Sequence, residues 1–423
     1  MFNLSTQPGY GCRYGDAALK QENMNTASTS TSKPVIISAA RTPIGKFLGA
    51  LSGLSAVDLG GIAIRAALDR STLKSAEIDE VILGNVVGAG AGMAPGRAAA
   101  LAAGLPESMP CFTINKVCGS GLKAVMLAAQ AIKAGDAKAI LAGGTESMSN
   151  APYLLRRART GYTYGHGKIE DSLLTDGLEC CTEKWPMGNA ADHIARRFEI
   201  SREAADRFAM ESHQRAIAAA NSGKFKAEIV PCEIKHKKGP PALFEQDESP
   251  RSETTLEKLA ALKPAFDPNG IVTAGNASSL SDGAAAVVVA EEQWAAERKI
   301  KPLARILSYA SSGVAPKEIF HAPALAIPEA IKRAGIEMKD IDLFEINEAF
   351  SVQVLANLKV LSLDHQKVNV HGGAVALGHP LGASGARCLT TLLYALQDRN
   401  KKLGVVALCI GGGNAVAMVV ERL

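Results

Sequence analysis

The chain has 423 residues, 47% of them hydrophobic but only 5% aromatic, with 40 glycines. That length allows two or three domains, and the glycine-rich, aromatic-poor balance suits a soluble α/β enzyme with close backbone packing. A net charge of +4 is too small to argue for nucleic acid or an anionic membrane surface as partner.

No apolar run reaches the roughly 18–20 residues of a membrane-spanning helix. Residues 1–33 lack the apolar core of a secretory signal and read as a disordered tail, with Met24 a candidate start residue. The missing signals point to the cytoplasm, with the mitochondrial matrix as the alternative. The eight cysteines (Cys12, Cys111, Cys118, Cys180, Cys181, Cys232, Cys388 and Cys409) form no C-x-x-C pair. They suggest a reduced compartment and no metal site.

Order begins at Pro34. Val35–Ala40 reads as a buried strand, and a helix follows to Asp69 with Ser55 as N-cap. Residues 80–87 read as a second strand. The glycines 88, 90 and 92 miss the spacing of a dinucleotide-binding turn and read as loop. A helix over 96–103 leads to a strand over 110–115 and then to Asn115-Lys116-Val117-Cys118-Gly119-Ser120-Gly121. Beyond that turn Leu122, Val125, Met126, Ala129 and Ile132 fall at helical spacing, so Cys118 sits at or just before a helix N-terminus. Free N–H groups there favour a thiolate and can lower a thiol pKa from about 8.5. Taken alone, Cys118 reads equally as a nucleophile or as a buried capping cysteine. A strand over 137–141 closes this part. Strands alternating with helices argue for a mainly parallel sheet covered on both faces.

Residues 150–280 change character: loops rich in arginine and glycine, helices over 192–198 and 201–221, and a loop at His236-Lys237-Lys238. They read as an insertion on the α/β core, which resumes with a strand over 284–289. The second half then repeats the first. A helix over 325–334, a strand over 340–347, a strand at 368–370, a glycine-rich turn, a helix over 385–396 and a strand over 405–410 follow the earlier order. The division expected is an N-terminal half of 34–149 with 281–301, the inserted 150–280, and a C-terminal half of 302–423. A site belongs between the halves, where glycine-rich turns meet at strand ends.

Reactive groups recur at those ends: Cys118, Asn347 in Asn-Glu-Ala-Phe, His379 in Gly-His-Pro-Leu-Gly-Ala-Ser-Gly, and Cys409 in Cys-Ile-Gly-Gly-Gly. Cysteine with histidine is a nucleophile–base pair. A second cysteine can move a proton on carbon. An asparagine can hold a water or donate to an oxyanion. Separately, Cys409 on an apolar strand reads as core, and Asn347 serves a turn as readily as a site. The other histidines lie on helices or in loops outside this pattern, except His371, which shares the turn of His379.

The four motifs in this order and spacing resemble the thiolase family, over about residues 34–423. Ala39-Ala40-Arg41-Thr42-Pro43, Ala142-Gly143-Gly144-Thr145-Glu146-Ser147-Met148 and Thr273-Ala274-Gly275-Asn276-Ala277-Ser278 fit as well. The resemblance implies an α/β fold of duplicated βαβαβαββ halves, with two five-stranded mixed sheets in five α-β-α-β-α layers. It implies the reversible condensation of two acetyl-CoA to acetoacetyl-CoA, with degradative cleavage of longer 3-ketoacyl-CoA as the alternative and a decarboxylating ketosynthase or a non-catalytic thiolase-like lipid-binding protein as the remoter ones. By resemblance Cys118 carries the acyl group, His379 activates it, Cys409 handles the α-proton, and Asn347 holds a water in one oxyanion hole. The N–H groups of Cys118 and Gly411 form the other. Coenzyme A is a substrate rather than a tightly bound cofactor. It would meet Met187, Phe266, Ala274, Ser278 and Phe350 along its pantetheine arm and Arg251 near its nucleotide. Where the short-chain branch often has His-Met-Gly, this chain has Pro186-Met187-Gly188, so one histidine contact is missing. A homodimer or homotetramer is implied, with no nucleic acid or membrane partner.

Overall fold

The computed structural model describes residues 32–234 and 239–423. Cys12, Met24, the tail reading of residues 1–31 and the loop at His236-Lys237-Lys238 lie outside the described residues. Seven cysteines are described, and all are free thiols. Among the described residues no helix is long and apolar enough to cross a membrane.

The two halves repeat one sheet pattern. In the first, the strand order is Pro34–Arg41, Ser281–Glu291, Ala139–Ser147, Glu80–Gly84, Cys111–Ile114. The first two pairings are antiparallel and the last two parallel. In the second, Ala304–Gly313, Asn414–Arg422, Leu403–Ile410 and Leu343–Ile346 pair with the same alternation. A parallel bridge from Phe344 to Val368 takes the place of a fifth strand. The expected pair of separate sheets is joined at one edge, because Val35 and Ile36 pair with Arg305 and Ala304.

Why these segments fold as they do is local. Ser55 accepts from the Asp58 N–H while Asp58 reaches back to the Ser55 N–H, a reciprocal cap that starts the helix Ala56–Ser71. Ser201 caps Arg202–Asn221, and Gly223 at φ 73° ends that run. The expected helix over 192–198 begins earlier, at Met187, because Pro186 (φ −62°) stands ready at its N-cap. The strand from Ala139 runs through Gly143 and Gly144 to Ser147 instead of ending before them. Residues 368–370 form no strand: Asn369 lies at φ 47°, and its side-chain amide pairs instead with the Ile346 N–H and C=O. Two strands not foreseen, Ala304–Gly313 and Asn414–Arg422, complete the second sheet.

Between the sheets run the helices Ser120–Ala134 and Ser384–Asp398. Their apolar side chains and the facing strands make the central core. The second helix is buried on nearly every face, as a helix between two sheets must be. Ala56–Ser71 covers the outer face of the first sheet, and Pro323–Ala334 and Ser351–Leu361 cover that of the second. The halves meet backbone to backbone at glycines. A Cβ on Gly144 would sit 1.9 Å from the Gly382 carbonyl oxygen, and one on Gly385 would sit 2.3 Å from the Leu122 nitrogen. This contact brings the strand ends of one half to the turns of the other.

Candidate active site

Cys118 lies in a strained turn. Val117, a β-branched residue, is held at φ 46°. The Asn115 side chain accepts from the Val117 N–H (2.9 Å), and Ser120 Oγ accepts from the Lys116 N–H (2.8 Å). The helix starts at Ser120, two residues after the thiol. Gly119 rests against Ile410, where a Cβ would come within 2.4 Å of the side chain, so the turn is seated on the strand that carries Cys409.

Cys118 is partly exposed and lines a cleft. Burial pushes its thiol up to about 11. The N–H groups of Gly411 and of Cys118 itself point at the sulfur and oppose this, while the Glu146 charge adds to it. The expected lowering at a helix start is therefore overturned: loss of water outweighs the helix end. Cys409, buried on its strand, is raised well above the ordinary thiol value by burial and by the nearby Cys118. Both sulfurs rest as thiols.

His379 follows Gly378 (φ 108°) and is 6% exposed. Burial, then the Arg387 charge, lowers its imidazole to about 3, so it is neutral at rest. Its Nδ1 lies 2.6 Å from Ser384 Oγ, whose own proton reaches the Pro380 carbonyl at 2.9 Å. Its Nε2 faces Asn347 Nδ2 at 3.4 Å. Asn347 Nδ2 can only donate, so the network assigns the proton to Nδ1 and leaves Nε2 an unprotonated acceptor that can act as base. Asn347 is fully buried behind the histidine, its N–H bonded to the Ala407 carbonyl and its Oδ1 facing Cys388 Sγ at 3.8 Å.

Cys118, His379, Cys409 and Gly411 all open on one cleft of about 150 Å³ with an almost wholly apolar lining. Met187, Phe266, Ser278 and Phe350 form part of its wall. Phe350 stands edge-on to Phe266 and Phe320, at 6.3 and 5.3 Å between ring centres. A larger cleft, about 540 Å³, lies beside Phe225 and Asp247, and among the described residues no thiol or histidine lines it.

Residues 34–293 match the family model described as "Thiolase, N-terminal domain", and residues 300–422 match "Thiolase, C-terminal domain". The chain belongs to the thiolase family. It is 54% identical over 390 residues to the acetyl-CoA acetyltransferase of Escherichia coli (strain K12), covering 92% of this chain and 99% of that one. It is 51% identical over 388 residues, with the same coverage, to the acetyl-CoA acetyltransferase of Cupriavidus necator. The crystal structure of the Bacillus anthracis acetyl-CoA acetyltransferase superposes with a TM-score of 0.92 at 42% identity, over 94% of this chain and 100% of that one.

Two of the thiolase residues expected at the coenzyme stand off the cleft. Ala274 and Arg251 are exposed, and the Arg251 N–H donates to His213 Nδ1 at 3.2 Å. The cleft also has walls the sequence did not single out: Leu174, Leu178, Ile319, Phe320 and Leu381. Leu174–Leu178 is a five-residue π-helical turn, with no periodic signal to reveal it. Pro186 itself lines the cleft, so the wall is apolar where a histidine was missing. Ser384 and Glu146 lay inside quoted motifs, yet only their contacts reveal what they hold.

Proposed function

We propose that this thiolase is an acetyl-CoA C-acetyltransferase, joining two acetyl-CoA into acetoacetyl-CoA and CoA through an acetyl-Cys118 intermediate. The observation that carries the reading is two thiols and one neutral imidazole opening on the same small apolar cleft.

In the first half-reaction the Cys118 proton passes to His379 Nε2, and the sulfur attacks the thioester carbonyl. The departing CoA sulfur takes the proton of Cys409. The acetylated enzyme then holds an imidazolium and a Cys409 thiolate, a pair with no net charge. In the second half-reaction Cys409 removes the α-proton of a second acetyl-CoA, and the carbanion attacks acetyl-Cys118. Its sulfur leaves and recovers the proton held on His379, so both thiols are restored. The N–H groups of Cys118 and Gly411 serve the oxyanion of one step, as donors already aimed at the sulfur. Asn347 and His379 serve the other through a water.

Met187, Phe266, Ser278 and Phe350 would guide the pantetheine arm. Arg251, exposed, is the cation nearest in role to the nucleotide phosphates, with Ala274 beside the arm's entrance. Residues 150–280 supply most of these groups as an insertion on the duplicated core. The enzyme would work in the cytoplasm as a homodimer or homotetramer, which sedimentation can check. The acetyl-CoA acetyltransferases to which the chain is 51–54% identical support a short acyl group. Steady-state thiolysis of acetoacetyl-CoA is expected to exceed that of a long-chain 3-ketoacyl-CoA. Equal or faster cleavage of the long chain would make the enzyme a degradative thiolase instead.

A further inference from the structure

The segment that bears His379 runs from Gly373 to Ser384 and contributes no strand to the sheet. Its only regular pieces are the four-residue turn of helix Ala374–Leu377 and the start of the helix at Ser384. Two buried carboxylates grip it, one at each end.

Glu348, 1% exposed, takes the entry. Its Oε2 accepts from the Val375 N–H (3.1 Å) and from Ser212 Oγ (2.7 Å). Ser212 Oγ in turn accepts from the Gly373 N–H (3.1 Å). Oε1 accepts from Asn369 Nδ2 at 2.8 Å. Glu146, fully buried, takes the exit. Its Oε2 accepts from the Gly382 N–H (2.8 Å) and the Val86 N–H (3.2 Å). Oε1 accepts from Asn85 Nδ2 (2.9 Å) and the Val87 N–H (3.1 Å). Glu146 therefore ties the last turn of the histidine segment to the strand end of the opposite half. Four N–H donors converge on it and favour the ionised carboxylate, against a burial that pushes its titration up to about 7. Neither carboxylate lines the cleft.

We propose that Glu146 and Glu348 are positioning residues, a two-point clamp that holds the His379 imidazole in register with Cys118. The proposal rests on Cys118 and His379 acting as the nucleophile–base pair. Each carboxylate acts through the main chain of the segment. Misplacing a catalytic group by about 1 Å can cost on the order of 100-fold in rate, so the clamp has work to do even though it touches no substrate.

The test uses the full-length chain with Glu146→Gln and Glu348→Gln. Glutamine keeps the size but turns an NH2 group toward N–H donors that need an acceptor. Turnover in acetoacetyl-CoA thiolysis is counted per site that takes an acetyl group from acetyl-CoA, so unfolded protein does not enter. The expected result is a fall in kcat of roughly 10- to 100-fold with KM changed less than about twofold. Alkylation of Cys118 by iodoacetamide should slow in parallel. Should either variant fail to fold, Ser212→Ala removes one contact to Glu348 and one to Gly373, and a kcat loss of about 3- to 10-fold is expected. Full kcat per acetylatable site in these variants would overturn the clamp. His379→Ala separates the two levels. If it is inactive while Glu146→Gln is normal, only the clamp fails. If it keeps full turnover, the nucleophile–base pair falls and the clamp with it.

Discussion

Replacing Ser384 with alanine removes the hydroxyl that accepts from His379 Nδ1 at 2.6 Å. Both residues are buried, so water cannot take its place. An unpaired buried donor costs about 1–3 kcal/mol. The imidazole can escape that cost only by moving its proton to Nε2, which then meets the Asn347 NH2 group, donor against donor, at 3.4 Å. Only the second route depletes the form whose Nε2 is unprotonated, and the cost of the unpaired Nδ1–H is what drives the imidazole into it. A cost of about 1–3 kcal/mol corresponds to roughly 5- to 150-fold in rate. The fall should appear in kcat and in the single-turnover acetylation of Cys118, with KM nearly unchanged because Ser384 is not part of the cleft wall. Mass spectrometry of quenched samples gives the acetylation rate directly. Acetylation and kcat both within twofold of the parent would refute the tautomer assignment, and with it the identification of Nε2 as the base.

Cys409→Ala should lower condensation by about 100-fold or more, the usual range for losing a proton-transfer group. Acetyl should still be found on Cys118; full condensation activity would show that the second thiol is not needed. Arg41 is fully buried and paired with Glu228 (2.7 Å) and Asp247 (2.7 Å). Arg41→Met leaves two buried carboxylates without their cation and should cost about 3–5 kcal/mol in urea unfolding, whereas a change below about 1 kcal/mol would mean the pair is dispensable. His371 is lowered to about 4 by burial and by Arg399, with Asp398 opposing and Lys224 assisting. Between its ordinary value and 4 the unfolded chain binds the proton and the native chain does not, so stability falls as the pH drops through that window. His371→Gln should flatten the slope of unfolding free energy against pH there by up to about 1.4 kcal/mol per unit, and an unchanged slope would show that the imidazole titrates alike in both states.

The elements legible in the sequence were those whose cause is local. Ser55 with Asp58 marks a helix start within four residues, and the apolar spacing from Leu122 to Ile132 marks a helix regardless of what packs on it. The duplication was legible because the order of elements survives where side chains differ. Residues 368–370 misled because Val368-Asn369-Val370 alternates as a strand does, while the left-handed Asn369 uses its side chain for the pairing a strand backbone would make. The strand Ala304–Gly313 was missed because Leu307 and Tyr309 occupy half-buried positions while Ser308 is buried, which blurs its alternation.

The chemistry divides in the same way. The types of reactive group and their glycine neighbours were visible, but the protonation states were not, because burial depends on the whole fold. A thiol two residues before a helix was expected to lose its proton readily, yet the folded chain pushes it up to about 11. That reversal gives the histidine its role. A ready-made thiolate would have little use for a base, whereas a buried thiol beside a neutral imidazole with a free Nε2 can react only by passing its proton across as the bond to carbon forms. The pair is therefore uncharged until acyl-CoA arrives. On the proposed mechanism, rate would depend on the distance between sulfur and Nε2 more than on either resting pKa, and the bond from the Gly382 N–H to Glu146 ties the histidine segment to a residue far away in sequence.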